Sequence, residues 1–345
     1  MRRLMILLVL LFPSACLATD QGDISATAIP LSSTDPTQDR LGEVRVLGLH
    51  RLSAGQSWFG GISGLAWDGD ALVGVTDKGY WLRFNVQADG EGAPRAVGGL
   101  QGGVLGGIAQ DSKIDGDAEE ILRDGSSWLV SFERRHRVWR YPSGLDGAPI
   151  TVPLAENVAA LGGNDGIEAM ARLADGRLLL IAEGREGEPT SPAWIGGPGQ
   201  WRQLIYPRHG LFRPTAAVAL PDGGLLVVER QYTMLAGPAM RLLRLDAGQV
   251  EELAGREIMR LAPPLNVDNF EAVAIDPDAD DFVALNFLDM AGQVQLAGGV
   301  GDGGQTGLCA FGQADGKAGD VQILLGHPLG VHAYDIGVEL AENLA

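Results

Sequence analysis

Acidic side chains recur at matched places along this chain. Four segments share one pattern: ISGLAWDGDALVGVTDKG (62–79), AEEILRDGSSWLVSFERR (118–135), IEAMARLADGRLLLIAEG (167–184) and PTAAVALPDGGLLVVERQ (214–231). Each holds a short apolar run, an Asp-Gly pair, a second apolar run and a closing acid. A fifth copy begins with NFEAVAI (269–275) and then loses the pattern. The opening positions are Ser63, Glu119, Glu168, Thr215 and Glu271, and the closing acids are Asp77, Glu133, Glu183 and Glu229. Asp-Gly between two β-rich runs specifies a tight hairpin, because glycine accepts the positive φ of the turn. The turn falls midway between opener and closing acid, so both lie at the open end of one hairpin and are neighbours in space.

Carboxylates gathered at one place repel unless something compensates them. A hard cation such as Ca²⁺, which takes several oxygen ligands, is one compensation. Asp77, Glu119, Glu133, Glu168, Glu183, Glu229 and Glu271 are therefore the candidate metal ligands. Basic side chains are the other, and Lys78, Arg134, Arg135 and Arg230 directly follow the closing acids. The plainer alternative is that each acid caps its hairpin by accepting backbone N–H bonds.

The elements that must position these groups follow from the spacing. The openers lie 56, 49, 47 and 56 residues apart. A strand-rich period near 50 predicts the four-stranded blades of an all-β propeller. Six blades are the first count, with five or seven as alternatives; EVRVLGLHRL (43–52) and the C-terminal region would complete the ring. The first strand of each blade lines the channel, so Glu119, Glu168 and Glu271 should meet at one mouth. Asp77, Glu133, Glu183 and Glu229 should form a second ring just outside them. Runs such as 138–141 and 240–245 are expected further out in their blades.

Composition agrees. Fifty of the 345 residues are glycine, which opposes long helices at roughly 1 kcal/mol per interior residue. Hydrophobic residues make up 46%, too many for a disordered chain. With 26 basic and 44 acidic side chains the net charge is −18, which excludes the basic face of a nucleic-acid binder. A monomer is expected.

The N-terminus reads as an export signal over 1–18: Met1-Arg2-Arg3, then nine apolar residues (4–12), too short to span a bilayer. Cleavage after Ala18 is one ending. The other is lipidation of Cys16, since Pro13-Ser14-Ala15-Cys16 is similar to a lipoprotein box. A periplasmic or secreted protein is expected in the first case and a lipid-anchored one in the second, with no transmembrane span in either. Cys16 and Cys309 are the only cysteines, and processing takes Cys16 out of play, so no internal disulfide is expected. Residues 19–40, rich in Ser, Thr, Asp and Pro, read as a flexible leader, leaving 41–345 as the propeller domain.

The quoted blocks, with VSFERRHRVWRYP (130–142) and DNFEAVAID (268–276), resemble the esterase-like phytase family, also called phytase-like domains, of exported bacterial proteins. The resemblance covers roughly 43–278. It implies a β-propeller and phosphoester or ester hydrolysis, and propeller phytases use bound Ca²⁺. It fails at the C-terminal end. The family's Ser-Asp-Asp-Asn strand is absent: Asp280 and Asp281 have no Asn after them, and from about 279 the chain is glycine-rich and poorly patterned. VQILLG (321–326) remains a strand able to close the ring.

Other motifs fail on inspection. Gly61-Ile62-Ser63-Gly64-Leu65 lacks the last glycine of G-x-S-x-G and opens a strand rather than a strand-to-helix elbow. Gly299-Val300-Gly301-Asp302-Gly303-Gly304 has no strand before it and no helix after it. The five histidines show no zinc spacing. Two functions remain. One is a Ca²⁺-dependent hydrolase with Glu168 and Glu183 as catalytic acids, and with Lys78, Arg134, Arg135 and Arg230 binding a small anionic substrate. The other is a non-catalytic periplasmic propeller that binds a ligand or a protein.

Overall fold

A computed structural model describes residues 20–88, 94–109, 112–267 and 271–275, and the backbone of short strands at 287–288, 293–294, 299–300, 306–307 and 320–328. The export signal with Cys16, the Asp280-Asp281 pair and Cys309 lie outside the described residues. Among those described, no helix is long and apolar enough to cross a membrane.

The chain folds as a β-propeller. The first blade runs from Ile62–Asp68 through Ala71–Thr76 and Tyr80–Ala88 to Pro94–Val104. The second is built from Ala118–Asp124, Ser127–Phe132, Arg137–Tyr141 and Ile150–Val152. The third comprises Ile167–Arg172, Leu178–Ala182, Thr190–Gly197 and Gln200–Pro207. The fourth comprises Arg213–Ala219, Leu225–Thr233, Gly237–Leu245 and Arg256–Leu261. In each, the strands pair antiparallel with their sequence neighbours, and the repeat hairpin supplies the first two. Gly69, Gly125, Gly176 and Gly223 adopt positive φ at its turns, as the Asp-Gly pairs predict.

The apolar cores lie between blades. One cluster joins the first and second blades through Val73, Val75, Ile121 and Phe132. Another joins the second and third through Leu129, Val138, Leu180 and Trp194, and a third joins the third and fourth through Ile181, Tyr206, Val227 and Leu245. The largest holds the fourth blade against the first through a fifth sheet, whose Val44, Val46, Leu49 and Leu52 pack with Ile62, Leu242 and Val273.

That fifth sheet is centred on Val44–Ala54, the strand expected at 43–52. Asp320–Pro328 runs antiparallel along it, so the stretch containing VQILLG reaches the ring as anticipated. Five blades close the circle, within the range left open by the repeat and one below its first count. Within 19–40, read as a flexible leader, the described residues from Asp20 onward contribute strands. Asp20–Gly22 pairs with the outer strand of the first blade, and Ile24–Ile29 pairs along Val44–Ala54. The Ser, Thr, Asp and Pro around them concealed this, although Ile24, Ala26 and Ile29 pack against the largest core.

Candidate functional site

Every complete blade carries a β-bulge at the opener of its repeat. In the first blade Ile62 pairs with Thr76 and Gly64 with Val75, so Ser63 is an extra residue. Glu168 and Thr215 are extra in the same way in the third and fourth blades. In the second, Glu119 and Glu120 together oppose Ser131. A bulge bends the strand and re-aims the extra side chain. Repeated around the ring, it turns these positions toward the channel.

Buried carboxylates accordingly collect at one mouth: Asp77, Asp117, Glu119, Glu133, Glu168, Glu183 and Glu271 are all buried. Glu119 feels Glu168, Glu133, Asp117 and Glu271, and Glu168 feels Glu183, Glu133 and Glu271. Asp77 comes from the first blade, and the other acids from the second and third blades and from segment 271–275, the buried fifth repeat. Ser63 and Thr215 occupy the remaining openers. The Ser63 hydroxyl donates to the Ala118 carbonyl oxygen, which ties the first blade to the second.

Four cations pair with this group. Lys113 Nζ lies 2.7 Å from Asp77 Oδ2 and 2.9 Å from Asp117 Oδ1. Arg134, in a left-handed backbone conformation (φ 55°), pairs with Asp117 and lies 3.9 Å from Glu133 Oε1. On the opposite side Arg213 Nη1 donates to Glu183 Oε2 at 2.6 Å. Arg230 pairs with Glu271 and lies 3.3 Å from Glu183 Oε1. Acids therefore outnumber their partners. Glu119 and Glu168 have no hydrogen bond or ion pair to any described residue, although only 7% and 6% of their surface is exposed.

Burial, reinforced by neighbouring carboxylates, raises Glu119 and Glu168 well above the usual carboxylate range, at Glu168 against the pull of the nearby Arg230. Burial and the adjacent Asp117 push Glu133 up to about 8. Burial also raises Asp77, against the pull of Lys113. Asp117, Glu119 and Glu133 each offer one carboxylate oxygen within 4.8 Å of the others. Such a set of hard oxygen donors, with Glu168 beside it, fits a hard cation.

The other expected residues are placed differently. Glu229 does not join the ring. Its carboxylate is fully buried, accepts a hydrogen bond from Tyr206 Oη at 2.9 Å and pairs with Arg241. The register explains why. The turns of the third and fourth blades leave five residues between the last paired positions (172 and 178, 219 and 225), against two in the first and second (68 and 71, 124 and 127). In the fourth blade Pro214 pairs with Glu229, just as Ile167 pairs with Ala182, so the position equivalent to Glu183 is Arg230. A one-residue shift along a strand sends a side chain to the opposite face. Arg135 pairs instead with half-buried Asp115, and Lys78 acts on the neighbouring Asp77.

Sequence reasoning overlooked Asp117, Lys113 and Arg213. A signal for two of them existed: the position two before each opener reads Gly61, Asp117, Gly166 and Arg213. The carbonyls of Gly61, Asp117 and Gly166 each accept the N–H of the closing acid at 2.9 Å. Beside the mouth, a cleft of about 450 Å³ is lined by Leu161, Gly162, Asp165, Gly184, Arg185 and Trp194, among others.

Comparison with solved structures finds likenesses at low identity. A gluconolactonase from Xanthomonas campestris is 14% identical, with 88% of this chain and 98% of that chain covered and a TM-score of 0.40. A protein of unknown function from Dyadobacter fermentans is 9% identical, with 89% and 95% covered and a TM-score of 0.41. YCF48 bound to a D1 peptide is 15% identical, with 89% and 96% covered and a TM-score of 0.35. No curated protein matches the sequence. The repeats that build the mouth fall within one family model, Phytase-like (esterase-like activity of phytase), which matches residues 57–285, well over half of the sequence; the chain belongs to this family.

Proposed function

We propose that this protein is an exported, metal-dependent hydrolase of phosphoesters or carboxylic esters, working at the acidic mouth. The observation that carries the reading is the excess of buried acid there, with Glu119 and Glu168 left without partners. Buried carboxylates that outnumber their basic partners are costly, so a mouth built this way calls for a cation. Asp117, Glu119 and Glu133 would hold it, with Glu168 close by. When bound, a cation such as Ca²⁺ would polarise a phosphoryl or carbonyl oxygen and lower the pKa of water.

The protein's own residues divide the remaining work. Glu168, buried and without a partner, suits proton transfer. Glu183 is held by Arg213 and Arg230 and serves better as fixed negative charge. Arg134 and Lys113 remain partly exposed at the rim and can meet an anionic group. The neighbouring cleft has room for the organic part of a substrate.

One observation favours the other reading, a non-catalytic binding propeller. Arg134, Arg213 and Arg230 already pair with acids, as in a salt-linked structural mouth. Assays on p-nitrophenyl phosphate, p-nitrophenyl acetate and phytate, with Ca²⁺ and with EDTA, separate the two. Activity that needs Ca²⁺ and disappears in Glu168→Gln supports the hydrolase. No turnover and no Ca²⁺-dependent shift in Tm would sink it.

A further inference from the structure

One hairpin of the fourth blade runs past the mouth. In the first three blades the second strand stops at Thr76, Phe132 and Ala182, one residue short of the closing acid. In the fourth, Leu225–Thr233 continues three residues beyond Arg230, the position equivalent to Glu183. Gln231, Tyr232 and Thr233 pair there with Ala239, Pro238 and Gly237. At about 3.4 Å per residue, the hairpin stands about 10 Å above the mouth. Its tip is a closed turn: the Ala236 N–H donates to Thr233 Oγ1 at 3.0 Å, and Gly237 takes a φ of 73°.

The tip carries side chains that a solvated turn avoids. Met234 and Leu235 are 94% and 103% exposed, and Tyr232 below them is exposed as well. No charged residue occurs from Gln231 to Met240. The flanking charges, Arg230 and Arg241, pair with Glu183, Glu271 and Glu229 in the fold. Among the described residues, seven large apolar side chains are exposed. Five of them lie at the mouth end: these three, Ile114 in the connection before Ala118–Asp124, and Leu211 in the connection before Arg213–Ala219.

Shape and chain path decide what covers such a tip. It is a convex point without a charge pattern for a protein partner to read, whereas a fluid apolar layer accepts it without matched contours. Tyr232, one step below, suits the headgroup boundary, since its ring is apolar and its hydroxyl polar. The first strand, Asp20–Gly22, pairs with Gly102, Gln101 and Leu100, and so begins near the mouth end of the first blade, where Tyr80 pairs with Val104. Cys16, the candidate lipidation site, precedes Asp20 by four residues, a stretch of at most about 14 Å. An acyl anchor on Cys16 would set a bilayer against the same face.

We propose that the mouth face docks on a lipid bilayer, with Met234 and Leu235 entering the acyl layer and Tyr232 at its surface. The net charge of −18 selects a zwitterionic bilayer over an anionic one. The hairpin and an anchor at Cys16 supply two attachments, which is what stable membrane association takes. The docking does not depend on what the mouth catalyses.

The test uses the exported protein with Cys16→Ala, which leaves cleavage after Ala18 as the processing route, and with Cys309→Ser, which removes the other thiol. An environment-sensitive fluorophore is attached through Ala236→Cys, beside the intact tip. The control carries it through Ile150→Cys, an exposed apolar position at the opposite end of the second blade. With phosphatidylcholine vesicles, the label at 236 should shift to the blue and be quenched by lipids brominated on their acyl chains. The label at 150 should do neither. Adding Met234→Asp and Leu235→Asp should weaken vesicle binding by about tenfold or more. No shift at 236, an equal shift at both positions, or a shift that survives the two aspartates overturns the proposal. So does a shift that follows protein concentration without lipid, which would make a second copy of the chain the occupant.

Discussion

Arg230 and Glu183 face each other across a blade boundary, Nη2 to Oε1 at 3.3 Å, and the other guanidinium nitrogen of Arg230 pairs with Glu271. One cation from the fourth blade thus holds an acid from the third and an acid from the fifth repeat. Both carboxylates are buried, so their dependence on it is strong.

Replacing Arg230 with Gln should therefore destabilise the protein by about 3 kcal/mol or more, because it strips a partner from two buried charges. Arg230→Lys should recover part of the loss, since it keeps the charge but not the fork geometry. Denaturant unfolding measures both. Ca²⁺ should raise the Tm of Arg230→Gln more than that of the wild type, because the vacated charge adds to the demand for a cation.

Glu119→Gln and Glu168→Gln should behave in the opposite way. Each puts a neutral amide where an acid is costly to ionise, so without metal the Tm should stay level or rise. Each should also abolish most of the Ca²⁺-induced shift in Tm, and Glu168→Gln should lower hydrolysis by about 100-fold or more. A marked loss of Tm in EDTA would contradict the reading of either acid as costly to ionise without metal.

The dependence on pH follows from Glu133, pushed up to about 8 from an ordinary value of 4.5. An acid whose pKa is raised on folding binds its proton more tightly in the native state. Its contribution is complete below the unfolded value and is lost as pH rises through the folded one. In EDTA the Tm should thus fall between pH 5 and pH 8. Ca²⁺ should offset that fall, because the metal takes the deprotonated form. Melting curves at the two pH values, with and without Ca²⁺, provide the check.

Glu229 provides the internal contrast. Arg241→Met leaves its carboxylate buried beside only Tyr206 and should cost about 3–5 kcal/mol. Tyr206→Phe removes one hydrogen bond and should cost about 1–3 kcal/mol. Neither should alter the Ca²⁺ response, measured as the shift in Tm, since this pair lies off the mouth.

The sequence by itself determined the hairpins, their period and the openers. These are local properties: Asp-Gly accepts the turn, apolar runs pair across it, and each copy repeats the arrangement. It therefore located Glu119, Glu168 and Glu271 in advance, and Asp77, Glu133 and Glu183 with them. Counting from opener to closing acid misplaced Glu229, because longer turns in the third and fourth blades shift the register by one residue and strand alternation turns that shift into a change of face. Tertiary structure alone decided which cations meet the acids. Lys113, Arg134 and Arg230 reach partners 36, 17 and 41 residues away in the chain. It alone decided the blade count too, since the ring closes through the pairing of Asp320–Pro328 with Val44–Ala54, far apart in sequence.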